Sequence, residues 1–536
     1  MTTPRFAPSR CSLSLVGVTF ALLLTACPDT GIVCKAGTTR CGNGCADYTT
    51  DSRNCGACGQ ACGTGQVCQA SACRCQDGTT SCSGSCVVTA YDAQNCGACG
   101  RRCESGQVCE TGECKAACSI DSSIRCGDSC ISAATDVNNC GGCDVKCQSG
   151  QVCRARSCVF EVVAACLSSG ELSGFRAATG ERGPPADVGT QPEALASMQG
   201  RVLSADGTDQ RLYQARLVSG EPSFRLAARS NRTGAVPNQV LVDGTRVYVA
   251  NAASGTLQVL EQSEQITSDV RFDDAGVAGA VSLITLSELP LGMNTWPQGA
   301  ARVGTSVWVP LYGGAGVEPA KAGQKVLEVS MIDPRLPLVI NTVDLSTIDL
   351  KSFDGGLSVA RPFAITTHNG ALYVTLNNLE PSTFAPAGPG MLARINPSTK
   401  AVIAIDLGAD ACVNPQWAAE FGQGLVVSCA GVARYAGQLT GLLGTDHSGL
   451  VLLDANDQRV ASWRPGACEV DAGCAPVLPG RLAVTQGRVF LADQYAGRVL
   501  SFTVADGGFI EERVIQACTV SPLSGVANVG DLLVTQ

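Results

Sequence analysis

Cysteine sets the first limit on what this chain can fold into. Of its 32 cysteines, 24 lie between Cys34 and Cys158, in three runs of eight that begin at Cys34, Cys75 and Cys118. Self-similarity at a period of about 40 residues marks tandem modules, here 34–74, 75–117 and 118–158. All three share the phrase Asn-Cys-Gly-x-Cys-x-x-x-Cys-x-x-Gly-Gln-Val-Cys. A module this small cannot bury a sufficient apolar core, so cross-links must take the core's place. Four disulfides per module would do so, each contributing about 2–4 kcal/mol by restricting the unfolded chain. Which cysteine pairs with which is left open, because eight allow about a hundred connectivities. Cys55/Cys58, Cys96/Cys99 and Cys140/Cys143 also have the Cys-x-x-Cys spacing of zinc sites. Yet the region holds no histidine and more thiolates than one tetrahedral site can use, so disulfides are expected and no metal or cofactor.

Beyond residue 159 the composition turns to Val, Leu, Ala and Gly in short alternating runs, the pattern of strands rather than helices. A proline recurs at Pro192, Pro237, Pro297, Pro362, Pro415, Pro479 and Pro522. Ten residues after each stands an aliphatic, Val202, Val247, Val307, Leu372, Leu425, Val489 and Leu532, and two further on another in six of the seven. One face of one strand is thus specified seven times. Glycines supply the tight turn before that strand, and Gly-x-(Leu/Val) marks a third strand at Gly255/Leu257, Gly390/Leu392, Gly449/Val451 and Gly497/Val499. A fourth run, such as Ala401 to Leu407, completes a four-stranded blade, and seven blades make a propeller. The fold class expected is therefore all-β, a seven-bladed β-propeller over 159–536 preceded by three small disulfide-rich modules. A β-sandwich pair or β-helix is the alternative.

The stretch RVYVANAASGTLQVLE at 246–261 resembles the repeat of YVTN and NHL propellers, while the Trp-Asp and Gly-His signatures of other propeller families are absent. The cysteine string resembles the tandem repeats of exported myxobacterial proteins, which implies an extracytoplasmic setting and no defined activity. The ring has to close. Glu161 to Cys166 aligns with Arg246 to Asn251, a second strand, so the C-terminal piece from Pro522 is expected to supply the missing first strand. Leu532-Leu533-Val534 also reads as a second strand, and the sequence leaves open which segment takes that place, or whether both enter in shifted roles.

The N-terminus indicates the compartment. Arg5 and Arg10 precede an apolar run from Leu13 to Leu24, about twelve residues, against the roughly 20 needed to span a bilayer. Leu24-Thr25-Ala26-Cys27 is similar to a bacterial lipobox. The resemblance implies a signal peptide over 1–26, a diacylglyceryl thioether on Cys27 and a linker over 27–33. Two or more acyl chains suffice for a stable anchor, so membrane lipid is the expected partner of Cys27, with the protein on the periplasmic or cell-surface side of the envelope.

Composition narrows the function. Net charge is −9 with no Lys/Arg cluster, so nucleic acid is not an expected partner. His368 and His447 are the only histidines, and each reads as a surface or strand residue rather than a catalytic one. A metal-dependent hydrolase or lactonase would need carboxylates recurring on the inner strand ends, and none recur. Asp454-Ala455-Asn456-Asp457 lacks the glycine and distal glutamate of a calcium loop and reads as a hairpin turn. No catalytic residues are expected. Three readings follow: a binding or scaffold propeller, a structural envelope component, or an enzyme.

In a four-stranded blade the strand two to three loops and the blade-joining segments share one face. They are long at Tyr312 to Gln324, Asn377 to Gly390, Ala430 to Ser448 and Arg464 to Leu478, so an unknown protein or glycan ligand is expected on that face. The spare cysteines fit the same geometry: Cys412 is expected to pair with Cys429, Cys468 with Cys474, and Cys166 with Cys518 across the closure. Three compact modules in a row would hold the propeller about 60 Å from the lipid.

Overall fold

In the computed structural model the described residues are 39–41, 44–63, 66–75, 78–83, 85–116, 118, 123–127, 129–217, 224–263, 271–272, 282–435, 442–466, 476–505, 507–519 and 527–535. The signal, Cys27 and the 27–33 linker lie outside them, as do Cys34, Cys468, Cys474 and Pro522. Among the described residues no helix is long and apolar enough to cross a membrane.

The cysteine modules follow one pairing scheme. In the second, Cys75 bonds Cys86, Cys82 bonds Cys99, Cys96 bonds Cys109 and Cys103 bonds Cys114. The first repeats this as Cys41–Cys58, Cys55–Cys68 and Cys62–Cys73. The third repeats it as Cys118–Cys130, Cys140–Cys153 and Cys147–Cys158, and its Cys126 and Cys143 are also disulfide-bonded. In each module the central bond is buried, so sulfur occupies the place of an apolar core.

The shared phrase has a physical reading. The asparagine before its first cysteine accepts a backbone N–H five residues on: Gly59 to Asn54, Gly100 to Asn95, Asp144 to Asn139, at 2.8–2.9 Å. The glutamine before Val-Cys reaches back three residues in the same way, at 3.0–3.1 Å. The glycine is obligatory. Gly56, Gly97 and Gly141 have φ of 78°, 75° and 80°, and a Cβ there would lie 2.5–2.7 Å from a carbonyl oxygen.

The chain divides into two compact units, one running to Ile120 and taking in Arg125–Cys130, the other comprising Asp121–Ile124 and the chain from Ile131 onward. Most of the third module therefore packs with the propeller, and the compositional boundary at residue 159 is not the packing boundary. Arg176 Nη2 donates to the Gln151 carbonyl (2.6 Å), Ser149 Oγ to Glu181 (2.6 Å), and Arg154 Nη1 to the carbonyl of Thr535 (2.8 Å). A free three-module spacer is thus shortened, because this module is part of the propeller's own body.

The second unit contains a seven-bladed β-propeller. Blade 2 is Pro192–Met198, Arg201–Asp206, Arg211–Leu217 and Phe224–Arg232; blade 3 is Pro237–Asp243, Arg246–Asn251, Thr256–Ser263 and Ser282–Pro290. Blades 4 to 7 open at Ala301, Pro362, Pro415 and Pro479 with the same antiparallel order. Blade 1 closes the ring. Val529–Val534 takes its innermost place, and Val162–Cys166, Glu171–Phe175 and Ala186–Asp187 follow outward. This settles the ambiguity at the C-terminus. Both segments enter, and Leu532-Leu533-Val534 forms a first strand, because Val162–Cys166 is already tied to Glu171–Phe175 by a short turn and leaves only its inner edge free.

Core formation explains the repeated aliphatics. In the second strand of blade 3, Val247 and Val249 pack with Ala194, Met198 and Leu203 of blade 2, whereas Tyr248 between them packs with Val307 and Val309 of blade 4. Both faces of each blade are buried by its neighbours, as period-2 alternation requires. Insertions do not all extend one face. The strand three to four connection of blade 3 is also long, on the opposite face, and within it Arg271–Phe272 adds a fifth strand to blade 2.

Candidate functional site at the mouth of the axial channel

The recurring proline does more than open a strand. Proline lacks the N–H that a ladder bond needs. In blades 2, 3, 5, 6 and 7 the register shifts directly after it, between Pro192 and Ala194, Pro237 and Gln239, Pro362 and Ile365, Pro415 and Trp417, and Pro479 and Leu482. Each shift is a β-bulge, a device that re-aims side chains at the rims of barrels and beside ligand sites. The residues so displaced are Glu193, Asn238, Phe363, Gln416 and Arg481, and Gln298 follows Pro297 in blade 4. All lie where the innermost strands begin, on the face of the strand two to three loops, and so at one mouth of the axial channel.

Arg481 closes this channel. Its Nη1 meets Asp531 of blade 1 at 2.8 Å, its guanidinium lies 4.6 Å over the ring of Trp417 in blade 6, and its Nη2 donates to the carbonyl of Asn238 in blade 3. Blades 3 and 7 are not neighbours, so the side chain crosses the axis. Asp531, 5% exposed, also accepts the N–H of Leu195 (2.7 Å) and Leu532 (2.8 Å). Neighbouring mouth residues join in pairs: Asn238 Nδ2 donates to Gln298 Oε1, and Gln416 Nε2 to Asn414 Oδ1 at 3.1 Å. Glu193 stands apart, its Oε2 buried without a hydrogen-bond partner.

Burial pushes the Glu193 carboxyl up to about 6, against the opposing pull of Arg481. A carboxyl raised on folding favours the neutral form, so its contribution to stability is full below the ordinary value of 4.5 and is lost as pH rises through about 6. After allowance for solvent screening the effect is about 1 kcal/mol. Glu193→Gln should therefore flatten the urea midpoint across this window and raise it at neutral pH. An unchanged pH slope in the variant would exclude Glu193 as the titrating group.

Beside the mouth, the loops of blades 4 and 5 form a platform around Arg361, which is fully buried. Its Nη1 donates to the carbonyls of Gly313 (2.5 Å) and Gly314 (3.1 Å), and its Nη2 to that of Pro381 (2.7 Å), so one side chain staples two long loops together. Trp296, Phe384 and Tyr312 stack in a parallel row, interplanar angles 11° and 5°, with the guanidinium 4.2 Å over Phe384. Burial drives the Tyr312 hydroxyl up to about 12 and pulls Arg361 below its ordinary value. Asn294, Trp296, Arg361, Asn378 and Phe384 all have φ between 46° and 59°. Left-handed non-glycine residues of this kind gather at ligand clamps and switch regions.

The spare cysteines hold the same face. Cys412 bonds Cys429 and Cys166 bonds Cys518, each with Cα atoms 5.3 Å apart. Their position is explained by the other blades. At the end of the second strand, Asp206 accepts the N–H of Thr190 (2.8 Å) and Gln191 (2.7 Å), and Asp493 that of Leu478 (3.1 Å). These carboxylates tie the blade-joining segment to the second strand. In blades 6 and 1 Cys429 and Cys166 occupy that place and make the tie covalently. Cys468 and Cys474, expected to staple one loop, fall outside the described residues, as does Cys27.

Other candidates have plain roles. His368 is buried, with Nδ1 2.8 Å from Glu420, and His447 sits exposed in a turn. Asp454 accepts the N–H of Asn456 and Gln458 at 2.8 Å, and Asp457 is neutralised by Arg394, which makes this segment a hairpin turn. Among the described residues, the groups of three potential ligands within metal-binding reach are Cys55/Cys62/Cys73, Cys96/Cys103/Cys114 and Cys140/Cys147/Cys158. Every one of these sulfurs is in a disulfide and offers no thiolate. The mouth residues themselves were missed from sequence, although each directly follows a recurring proline or lies two residues beyond it.

No curated protein matches this sequence. The model of the Stigma-specific STIG1-like protein family matches residues 68–117, chiefly the second cysteine module. Among solved structures, the chain is similar to a Bacteroides fragilis protein provisionally assigned as a 6-phosphogluconolactonase (12% identity, 69% of this chain and 96% of that one, TM-score 0.45). It is also similar to a Lactobacillus plantarum protein (11%, 72% and 99%, 0.41) and to apo AztD from Citrobacter koseri (11%, 69% and 97%, 0.39). At these identities and scores the likenesses carry no argument about activity.

Proposed function

We propose that the chain is a lipoprotein of the cell envelope, tethered through acylated Cys27, whose propeller binds a ligand at the loop-bearing mouth of its axial channel. The observation that carries the binding reading is the repeated bulge: five blades displace a side chain at the same end of the inner strand, the kind of place where bulges re-aim side chains beside ligand sites. The cystine-rich modules suit an oxidising compartment. A hydrolytic role has less support, since Glu193 is the only carboxylate among the displaced residues and the one cation among them is paired with Asp531.

The anchor is tested by Cys27→Ala, which should abolish incorporation of labelled fatty acid and move the protein from the membrane to the soluble fraction. Unchanged labelling and fractionation would defeat the lipoprotein reading. Binding is tested by affinity electrophoresis through a gel carrying solubilised envelope material. The wild-type protein should be retarded, and Asn238→Leu/Gln298→Leu should run freely with its melting temperature kept. Equal mobility of the two would leave the propeller a structural component.

A further inference from the structure

We infer that the ligand taken at this mouth is a neutral, hydroxyl-rich carbohydrate, a step that rests on the reading of the mouth as a binding site. A sugar hydroxyl is donor and acceptor at once, and side-chain amides are the groups that answer both roles. Three blades present them: Asn238, Gln298 and Gln416. The contact between Asn238 Nδ2 and Gln298 Oε1 fixes both side chains while leaving Asn238 Oδ1 and Gln298 Nε2 for a ligand. Gln416 is held through its Nε2 by Asn414, which leaves its Oε1 as an acceptor. Glu193 adds a carboxylate oxygen that is buried and has no partner in the protein, a group that a hydroxyl donor would satisfy.

Charge argues against the other small-ligand classes. Arg481 is consumed by Asp531, by the Asn238 carbonyl and by the face of Trp417, so no free cation remains among the described mouth residues for a phosphate, sulfate or carboxylate. Phe363, the displaced residue of blade 5, is half-buried and packed edge-on against Tyr312 at 5.8 Å, which joins the mouth to the aromatic row of Trp296, Phe384 and Tyr312. Aromatic rings next to two-way hydrogen-bonding groups suit the C–H face and hydroxyl rim of a pyranose.

The experiment is titration calorimetry of the detergent-solubilised full chain with cellohexaose, maltohexaose, mannohexaose and chitohexaose, and with dextran sulfate as an anionic probe. At least one neutral hexasaccharide should bind. Gln298→Ala should weaken it at least tenfold and Asn238→Asp, which keeps the shape of the side chain, at least threefold, with melting temperatures checked for both. Binding of none of the four overturns the inference, and so does sugar binding indifferent to both variants. Dextran sulfate binding that alone depends on Gln298 also overturns it while leaving the mouth as the binding site. If no sugar binds and retardation in the envelope gel is likewise indifferent to the mouth variants, the parent reading falls as well.

Discussion

Replacing Cys166 and Cys518 together by alanine is expected to lower the unfolding free energy of the propeller by roughly 5–6 kcal/mol, and its melting temperature by roughly 7 °C. The bond joins residues 352 apart in sequence, and the entropy removed from the unfolded chain grows with the logarithm of that span. The same relation assigns roughly 3 kcal/mol to Cys412–Cys429, which closes only 17 residues. The two bonds occupy equivalent places in blades 1 and 6, so the comparison isolates loop length. Hydrogen exchange gives the local readout: amides of Val529–Val534 should lose protection before those of blades 3 to 5, because the closing strand is the piece the bond retains. Arg154 and the paired ladder with Val162–Cys166 still hold that strand, so the domain should fold without the bond. Equal losses for the two cystine pairs in urea titrations would refute the loop-entropy account.

What could be read from sequence, and what could not, divides along a physical line. The blades were legible because sheet packing imposes a period of two on every second strand, and Val247, Tyr248 and Val249 state it directly. Glycine and proline, fixed by backbone geometry, marked the turns. The closing strand was harder, since Leu532-Leu533-Val534 satisfies the pattern of a second strand and only the prior pairing of Val162–Cys166 with Glu171–Phe175 assigns it the inner place. The pairing within the cysteine modules was closed to sequence reasoning because eight equivalent sulfurs carry no label. The mouth stayed hidden for a different reason. A bulge is a property of backbone register, and the residues it displaces differ in type, Glu193 here and Phe363 there, so no repeated letter gives them away. Arg361 is similarly silent. Its partners are carbonyls of Gly313, Gly314 and Pro381, groups every residue has. One signal lies in the alignment: Asp206, Asp493, Cys429 and Cys166 stand at one position, and each ties a second strand to its blade junction.

Arg481→Met should cost about 3–5 kcal/mol, far more than the 0–1 kcal/mol typical of an exposed ion pair. The difference lies in what is left behind. Asp531 is 5% exposed, and without the guanidinium its negative charge keeps only the N–H groups of Leu195 and Leu532. Burial already drives its carboxyl upward, with Arg481 the principal opposing charge, so the variant removes the main brake on that shift. The sign follows. A carboxyl raised on folding stabilises the fold at low pH and loses that contribution as pH rises through its folded value, so the variant's deficit should be small in acid and grow toward neutrality. Adding Asp531→Asn to Arg481→Met should recover most of the loss, because the amide keeps an oxygen for the Leu195 N–H and carries no charge. Arg481→Lys should fall between, since an ammonium can meet Asp531 but lacks the planar fork that also reaches the Asn238 carbonyl across the axis. The measurement is urea unfolding of the four proteins at pH 5 and pH 8. If Arg481→Met loses less than about 1 kcal/mol at pH 8, Arg481 acts as a solvated surface charge and not as the closure of the axial channel.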